Sequence, residues 1–295
     1  MRNYVFVTGA SSGLGKALAL QFAAQGFTVL AGVRRTEDAL PLCHLALCRH
    51  SSNIVPIVID LASSESVVQA AREIDSHVGS DGLAVLINNA GYNLYSPIEF
   101  AAESDVSNLF DVLLFGPARL TNSLLPAMRR YAQQSSRRAR VLNVVSWAAF
   151  DANPFVGYYA AAKAALLRLT ESQHYEFDRY AIDAVAIVPG LMKTPFITRV
   201  TSQIASTLNR LPSDGRETYG HQLERMASMS AKAQNSSFVK TPEGYARRIV
   251  RIATSRNVRF QYNLGIDTAL VETMNRLLPF CMLRRMKFAM FGLSH

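Results

Sequence analysis

Residues 4–15 read YVFVTGASSGLG, and this stretch decides the architecture of everything that follows it. Tyr4 to Thr8 is an unbroken apolar run rich in β-branched and aromatic residues, the pattern of a strand buried on both faces. Gly9, Gly13 and Gly15 come next, and Leu14, Ala17, Leu18 and Phe22 then recur at the spacing of one helix face. Strand, glycine turn and helix in that order make a phosphate cradle. Gly9 allows the tight turn, Gly13 lets backbone approach a pyrophosphate, and Gly15 permits close helix packing. The helix N-terminus adds unpaired amides and the positive end of its dipole. Ser11, Ser12 and Leu14 belong to the same turn and are expected beside whatever it holds.

Outward from this unit the same alternation repeats. Strand patterns fall at Thr28–Val33, Ile54–Ile59, Leu83–Ile87, Arg140–Val145, Ala184–Val188 and Val258–Leu264, with helical patterns between them. Ser63, with Glu65 two residues on, reads as a helix start, as does Thr241 followed by Pro242. Such alternation predicts one doubly wound α/β domain, a parallel sheet covered on both faces with its ligand at the carboxyl ends of the strands.

A chain of 295 residues that is 49% hydrophobic and 18% charged can bury a large core, and disorder is not indicated. Three cysteines do not make a disulfide framework, Cys43 and Cys48 lack the partners of a zinc site, and His44 and His50 read as surface residues, so no metal is expected. Reduced thiols and a first strand starting at Tyr4 predict a cytoplasmic protein without a signal peptide. The net charge of +9 is scattered over arginines without a basic stripe interleaved with aromatics, which argues against nucleic acid and is compatible with a polyanionic cofactor.

The chemistry concentrates between Ser146 and Lys163, SWAAFDANPFVGYYAAAK. Tyr159 and Lys163 are four residues apart, so phenol and ammonium share a helix face. A nearby ammonium favours the phenolate, which predicts a lowered tyrosine pKa. Ser146 ends the apolar run VLNVV, so a strand delivers its hydroxyl to the sheet rim. Four segments in order, VFVTGASSGLG, LINNAG, the Ser146–Lys163 stretch and IVPGLMKTP, resemble the short-chain dehydrogenase/reductase family from about Tyr4 to Gly190, with a looser continuation to about Ile266. In that family the catalytic serine lies thirteen residues before the tyrosine, as Ser146 does before Tyr159; Tyr158 would have Val145 and Ala162 in the partner positions.

The resemblance implies a Rossmann-type dinucleotide-binding and catalytic domain over residues 1–266, with a substrate lid over 191–238. It implies Ser146, Tyr159 and Lys163 as catalytic residues of an oxidoreductase acting on a hydrophobic ketone, aldehyde or alcohol of steroid or retinoid type. Asp60 at the end of the third strand would meet the adenine, Asn89 and Gly91 would line the cofactor, and Pro189, Gly190 and Thr194 would lie against the nicotinamide. Arg34, at the end of the second strand where Val33 offers no carboxylate, can pair with a 2′-phosphate, indicating NADP(H) rather than NAD. Trp147 and Met192, with Phe150, Phe155 and Phe196, are expected to shape an apolar substrate pocket.

One position departs from the family pattern. Three residues before Gly116, where a catalytic asparagine is expected, stands Leu113, which can neither donate nor accept a hydrogen bond. Its presence leaves open a dinucleotide-binding regulatory protein with impaired turnover. The family's habit of pairing its long helices, here 104–131 and 158–180, implies a homodimer or homotetramer. The extension over 267–295 mixes large apolar residues with Arg276, Arg284, Arg285 and Lys287, too interrupted to span a bilayer. Two readings of it are open: a helix on an anionic membrane surface, or one packed across the active-site mouth or a neighbouring subunit.

Overall fold

The computed structural model describes residues 2–48, 53–193, 195–234 and 239–293. Seven strands form one parallel sheet: β1 (Tyr4–Thr8), β2 (Thr28–Val33), β3 (Ile54–Val58), β4 (Val85–Asn88), β5 (Ala139–Val144), β6 (Ile182–Val188) and β7 (Gln261–Asn263). Their order is β3-β2-β1-β4-β5-β6-β7, so the winding reverses between β1 and β4. In register, Val5 of β1 faces Val29 of β2 and Val85 of β4. The expected doubly wound sheet is present. The last strand is shorter than its sequence pattern, because only Gln261 to Asn263 pair with Ala186 to Val188.

The helices are α1 (Gly13–Ala23), α2 (Leu40–Cys48), α3 (Ser64–Val78), α4 (Glu103–Phe110), α5 (Gly116–Gln134), α6 (Gly157–Phe177), α7 (Pro195–Arg210), α8 (Ser213–Gln234), α9 (Pro242–Thr254), α10 (Ile266–Leu277) and α11 (Phe280–Phe291). Flanking the sheet, α1 packs with α2 and α9, α3 packs with α5, and α6 lies along β5 and β6. Every residue of β1 is buried, as are Leu14, Ala17, Leu18 and Phe22 on α1, which is the face that the sequence spacing marks. Each large aliphatic or aromatic side chain removed from water here contributes about 1.5–3 kcal/mol. The Ser63 and Thr241 side chains cap their helices by accepting from the Ser66 and Gly244 amides.

Polar groups inside the core are tied across strands. Asn88 donates through Nδ2 to Asn143 Oδ1 (2.7 Å) and Thr121 Oγ1 (3.1 Å), and Asn143 Nδ2 donates to Thr170 Oγ1 (2.9 Å) and Gln173 Oε1 (3.0 Å). This chain of amides stitches α5, β4, β5 and α6 together beneath the site.

The single helix expected over 104–131 is two helices joined by a π-helical turn, Asp111–Phe115. Pro117 has no N–H to continue the ladder, and the Gly116 amide reaches five residues back to Asp111 O instead. The region after β6 folds into α7 and α8, preceded by an isolated bridge between Met192 and Lys240. The tail folds as α10 and α11, and the inner face of α11 packs on the body. Phe291 joins Tyr95, Phe155, Ile204, Leu223 and Met226 in a second apolar cluster, and Arg225 on α8 donates to the Met290 (2.9 Å) and Ala289 (3.1 Å) carbonyls.

Candidate active site

A crevice of about 850 Å³ runs along the carboxyl ends of the strands. Residues from six of the expected segments line it: the β1–α1 turn, Arg34, Asp60, Asn89 and Gly91, Ser146 with Tyr159 and Lys163, and Pro189 with Gly190. At its start Gly9 has φ +66°, a left-handed conformation that a side chain would strain. A Cβ on Gly15 would lie 2.1 Å from Gly9 O, so only glycine lets α1 press on the turn. Asn89 locks the same turn, its Nδ2 donating to Thr8 O (2.9 Å) and its amide to Thr8 Oγ1 (2.9 Å). Ser12 sits at the N-cap of α1 without capping it, unlike Ser63 and Thr241 on their helices. The first amides of α1 therefore face the crevice with their dipole uncommitted.

Where β2 ends, Arg35 pairs with Asp38 at 3.0 Å, while Arg34 stays exposed on the crevice wall. Asp60 lines the crevice and also serves its own turn, Oδ1 accepting from the Ala62 amide (3.0 Å) while its amide donates to Ser66 Oγ (2.9 Å).

Ser146 leaves β5 and N-caps the short turn Trp147–Ala149, its Oγ accepting from the Ala148 amide at 3.2 Å. The first two turns of α6 present Tyr159 and Lys163 to the same space, and the Ser146 side chain hydrogen-bonds the Tyr159 phenol. Burial pushes the phenol up to about 12, with the Ser146 hydrogen bond opposing it and nearby Tyr95 adding to it. Lys163 is buried and its Nζ donates to Val144 O (2.7 Å), and burial lowers it to about 8. The expected lowering of the tyrosine pKa by its lysine is thus reversed. Desolvation disfavours both charged forms, and the ammonium is spent on a backbone carbonyl rather than on the phenol.

Trp147 and Met192 line the crevice as expected. Phe150 and Phe155 do not. Phe150 packs against Val145 and Leu167, and Phe155 belongs to the second cluster, with φ +67° and its ring edge-on to Tyr219. Thr194, His50 and the Phe196 side chain lie outside the described residues. Leu113, in the π-turn, is fully buried among Leu109, Ala162, Tyr92, Tyr158 and Tyr159. It borders Gly91, whose notional Cβ would sit 2.8 Å from Leu113 Cδ2 and 4.0 Å from Lys163 Nζ.

Several lining residues escaped the sequence reading. Tyr92, Asn93 and Asn108 stand on the crevice wall, Tyr92 accepting from Asn108 Nδ2 and Asn93 Nδ2 donating to Tyr95 OH, both at 2.6 Å. Tyr92 and Asn93 directly follow Gly91 beyond the end of β4, so the rule that ligands gather at carboxyl ends would have found them. Gln203 reaches the crevice from α7, a helix with no advance signal.

With this geometry in hand, comparison with known proteins decides the family. The short chain dehydrogenase model matches residues 3–205. The chain belongs to the short-chain dehydrogenase family. Human retinol dehydrogenase 5 is 30% identical over 283 residues, covering 94% of this chain and 85% of that protein. YbbO of Escherichia coli K12, an uncharacterised oxidoreductase, is 29% identical over 279 residues, 95% of this chain and 91% of that one. Among solved structures, a Beutenbergia cavernae chain assigned as an NAD(P)-dependent gluconate 5-dehydrogenase and holding NADP at low occupancy superposes with a TM-score of 0.68. It is 25% identical, over 88% of this chain and 93% of that chain. As a short-chain dehydrogenase/reductase, the protein is an oxidoreductase on a Rossmann-type sheet.

Proposed function

We propose that this short-chain dehydrogenase/reductase uses NADP(H) to interconvert a hydrophobic ketone or aldehyde and its alcohol. The observation that carries the reading is the convergence of Ser146, Tyr159 and Lys163 on the crevice that begins at the glycine turn. The residues present fit a dinucleotide: the uncapped N-terminus of α1, the closely packed turn of Gly9, Gly13 and Gly15, and a crevice reaching past Asp60 to Arg34. Ser11, Ser12, Leu14 and the glycines would hold the pyrophosphate, Arg34 the 2′-phosphate, Asp60 the adenine, and Asn89, Gly91, Pro189, Gly190 and Thr194 the nicotinamide half. When bound, the cofactor would supply or accept the hydride.

The protein's own groups handle the proton. Ser146 would hold the substrate oxygen, and Tyr159, protonated at neutral pH, would give that oxygen its proton. Lys163 would hydrogen-bond the cofactor ribose and hold positive charge beside the phenolate that remains. Run in reverse, Tyr159 would take the alcohol proton. Support for an apolar substrate comes from Trp147 and Met192 on the wall and from the likeness to a retinol dehydrogenase. The catalytic domain would span 1–266, with 191–238 as its lid and 267–295 as an extension, assembled as a homodimer or homotetramer. Assay of a panel of hydrophobic carbonyls with NADPH and with NADH tests the reading. Tyr159→Phe should lose about 10²–10⁴-fold in kcat while still binding NADPH. Equal activity, or none in either protein despite bound NADPH, would refute it.

A second reading places the substrate's source at a lipid surface. Ile266, Leu270 and Leu277 share one face of α10 and are 57–76% exposed, and Met282, Met286 and Met290 recur every fourth residue of α11 at 43–48%. The segment Phe280–Phe291 has no acidic residue and exposes Arg284 and Arg285, while Lys287 turns inward to pair with Asp151. An apolar face turned to solvent and bordered by cations suits an anionic bilayer, and an isologous pairing of two such faces would bring like charges together.

A further inference from the structure

The strand-end turn Pro189–Gly190–Leu191 lines the crevice beside Tyr159 and Lys163, and its position is set from far along the chain. Asp267, in the first turn of α10, accepts a hydrogen bond from the Leu191 amide through Oδ2 at 2.8 Å. Its other oxygen lies so close to Gly190 that a Cβ there would come within 2.3 Å of Oδ1, and one on Gly265 within 1.9 Å. The Tyr245 hydroxyl crowds the same spot and would lie 2.6 Å from that Gly190 Cβ. Both glycines are therefore needed for a carboxylate to reach the turn. The helix bearing Asp267 is itself fixed, because Thr268 is fully buried with Oγ1 donating to Gly265 O (2.7 Å), and the Leu264 amide donates to Val188 O (2.9 Å). A carboxylate acceptor makes a stronger hydrogen bond than a neutral one, and this one points a backbone segment at the site without lining it.

We propose that Asp267 is a positioning residue that holds the Pro189–Gly190–Leu191 turn in the shape required by the nicotinamide end of the dinucleotide, an inference that rests on the cofactor reading above. The C-terminal extension thereby takes part in cofactor binding. The adenosine end, bound between Ser11, Arg34 and Asp60, lies on the other half of the sheet and is independent of it.

Titration of the full-length protein with two probes, NADPH and adenosine 2′,5′-bisphosphate, separates the ends. In Asp267→Ala the Kd for NADPH should rise about tenfold, the usual loss for one charge-assisted hydrogen bond, and the Kd for the bisphosphate should stay within about twofold. Asp267→Asn, which keeps an acceptor oxygen, should recover NADPH affinity to within about threefold of wild type. Faster hydrogen exchange at the Leu191 amide in Asp267→Ala, with the β1 amides unchanged, is the readout that needs no ligand. Equal weakening of both probes, or of neither, overturns the proposal, as does unchanged exchange at Leu191. If wild type binds neither probe, the cofactor reading fails and this inference falls with it, whereas a bisphosphate-binding wild type with an indifferent Asp267→Ala sinks the inference alone.

Discussion

At the scale of single residues, the pairing of Tyr159 with Lys163 was legible in the sequence and its electrostatics were not. Spacing of four places both on one helix face, but only the packed structure shows that burial dominates, lifting the phenol to about 12 and dropping the amine to about 8. At neutral pH the tyrosine holds its proton and the lysine is still mostly charged, which suits the site to reduction. The rate of carbonyl reduction, kcat/KM, should be level up to about pH 8 and fall above it as Lys163 deprotonates; a profile still level at pH 9.5 would contradict this. The lysine also costs stability. Its folded pKa lies below the ordinary value near 10.5, so between about 8 and 10.5 the unfolded chain holds more protons and stability from this group rises with pH. Lys163→Met should raise Tm at pH 7 by about 2–5 °C while abolishing turnover, and the gain should shrink as pH climbs from 8 toward 10. A lowered Tm at pH 7, measured by calorimetry, would show that the Val144 hydrogen bond outweighs the buried charge.

At the scale of elements, all seven strands lie within a few residues of their sequence patterns, because buried parallel strands are written as continuous apolar runs. The cradle at Gly9, Gly13 and Gly15 was equally plain. The π-turn at Asp111–Phe115 was not, since its cause is a missing donor at Pro117 together with the close seat of Gly116, whose Cβ would lie 2.4 Å from Leu61 O. That turn sets Leu113 against Gly91 on the side where Lys163 lies. Leu113→Asn would put an amide at this spot, at a stability cost of about 1–3 kcal/mol if it found no partner. If proton supply to Lys163 limits turnover, kcat should rise about threefold or more and the solvent deuterium isotope effect should shrink. A folded variant with unchanged kcat and isotope effect would mean that protons do not pass residue 113.

At the scale of the whole molecule, the sequence shows no sign of how the last two helices meet the sheet and its loops. Contacts between Asp267 and Leu191, or between Lys287 and the Asp151–Ala152 corner, join residues 76 to 136 positions apart, and no local pattern encodes such pairs. Apolar periodicity in α10 gave no hint that Ile266, Leu270 and Leu277 would face outward. No helix among the described residues is long and apolar enough to cross a membrane. Sedimentation with vesicles containing phosphatidylserine should carry the protein down, neutral vesicles should not, and Leu270→Glu with Leu277→Glu should abolish the effect. Equal recovery with both vesicle types, or with the double variant, would remove the lipid reading. The most direct test of the central claim is a crystal structure of the full chain with NADPH. The nicotinamide ring should lie in the crevice between the Pro189–Gly190 turn and the Tyr159 hydroxyl, with Lys163 turned to the ribose; a ring bound elsewhere, or a Tyr159 facing away from it, would contradict the proposed chemistry.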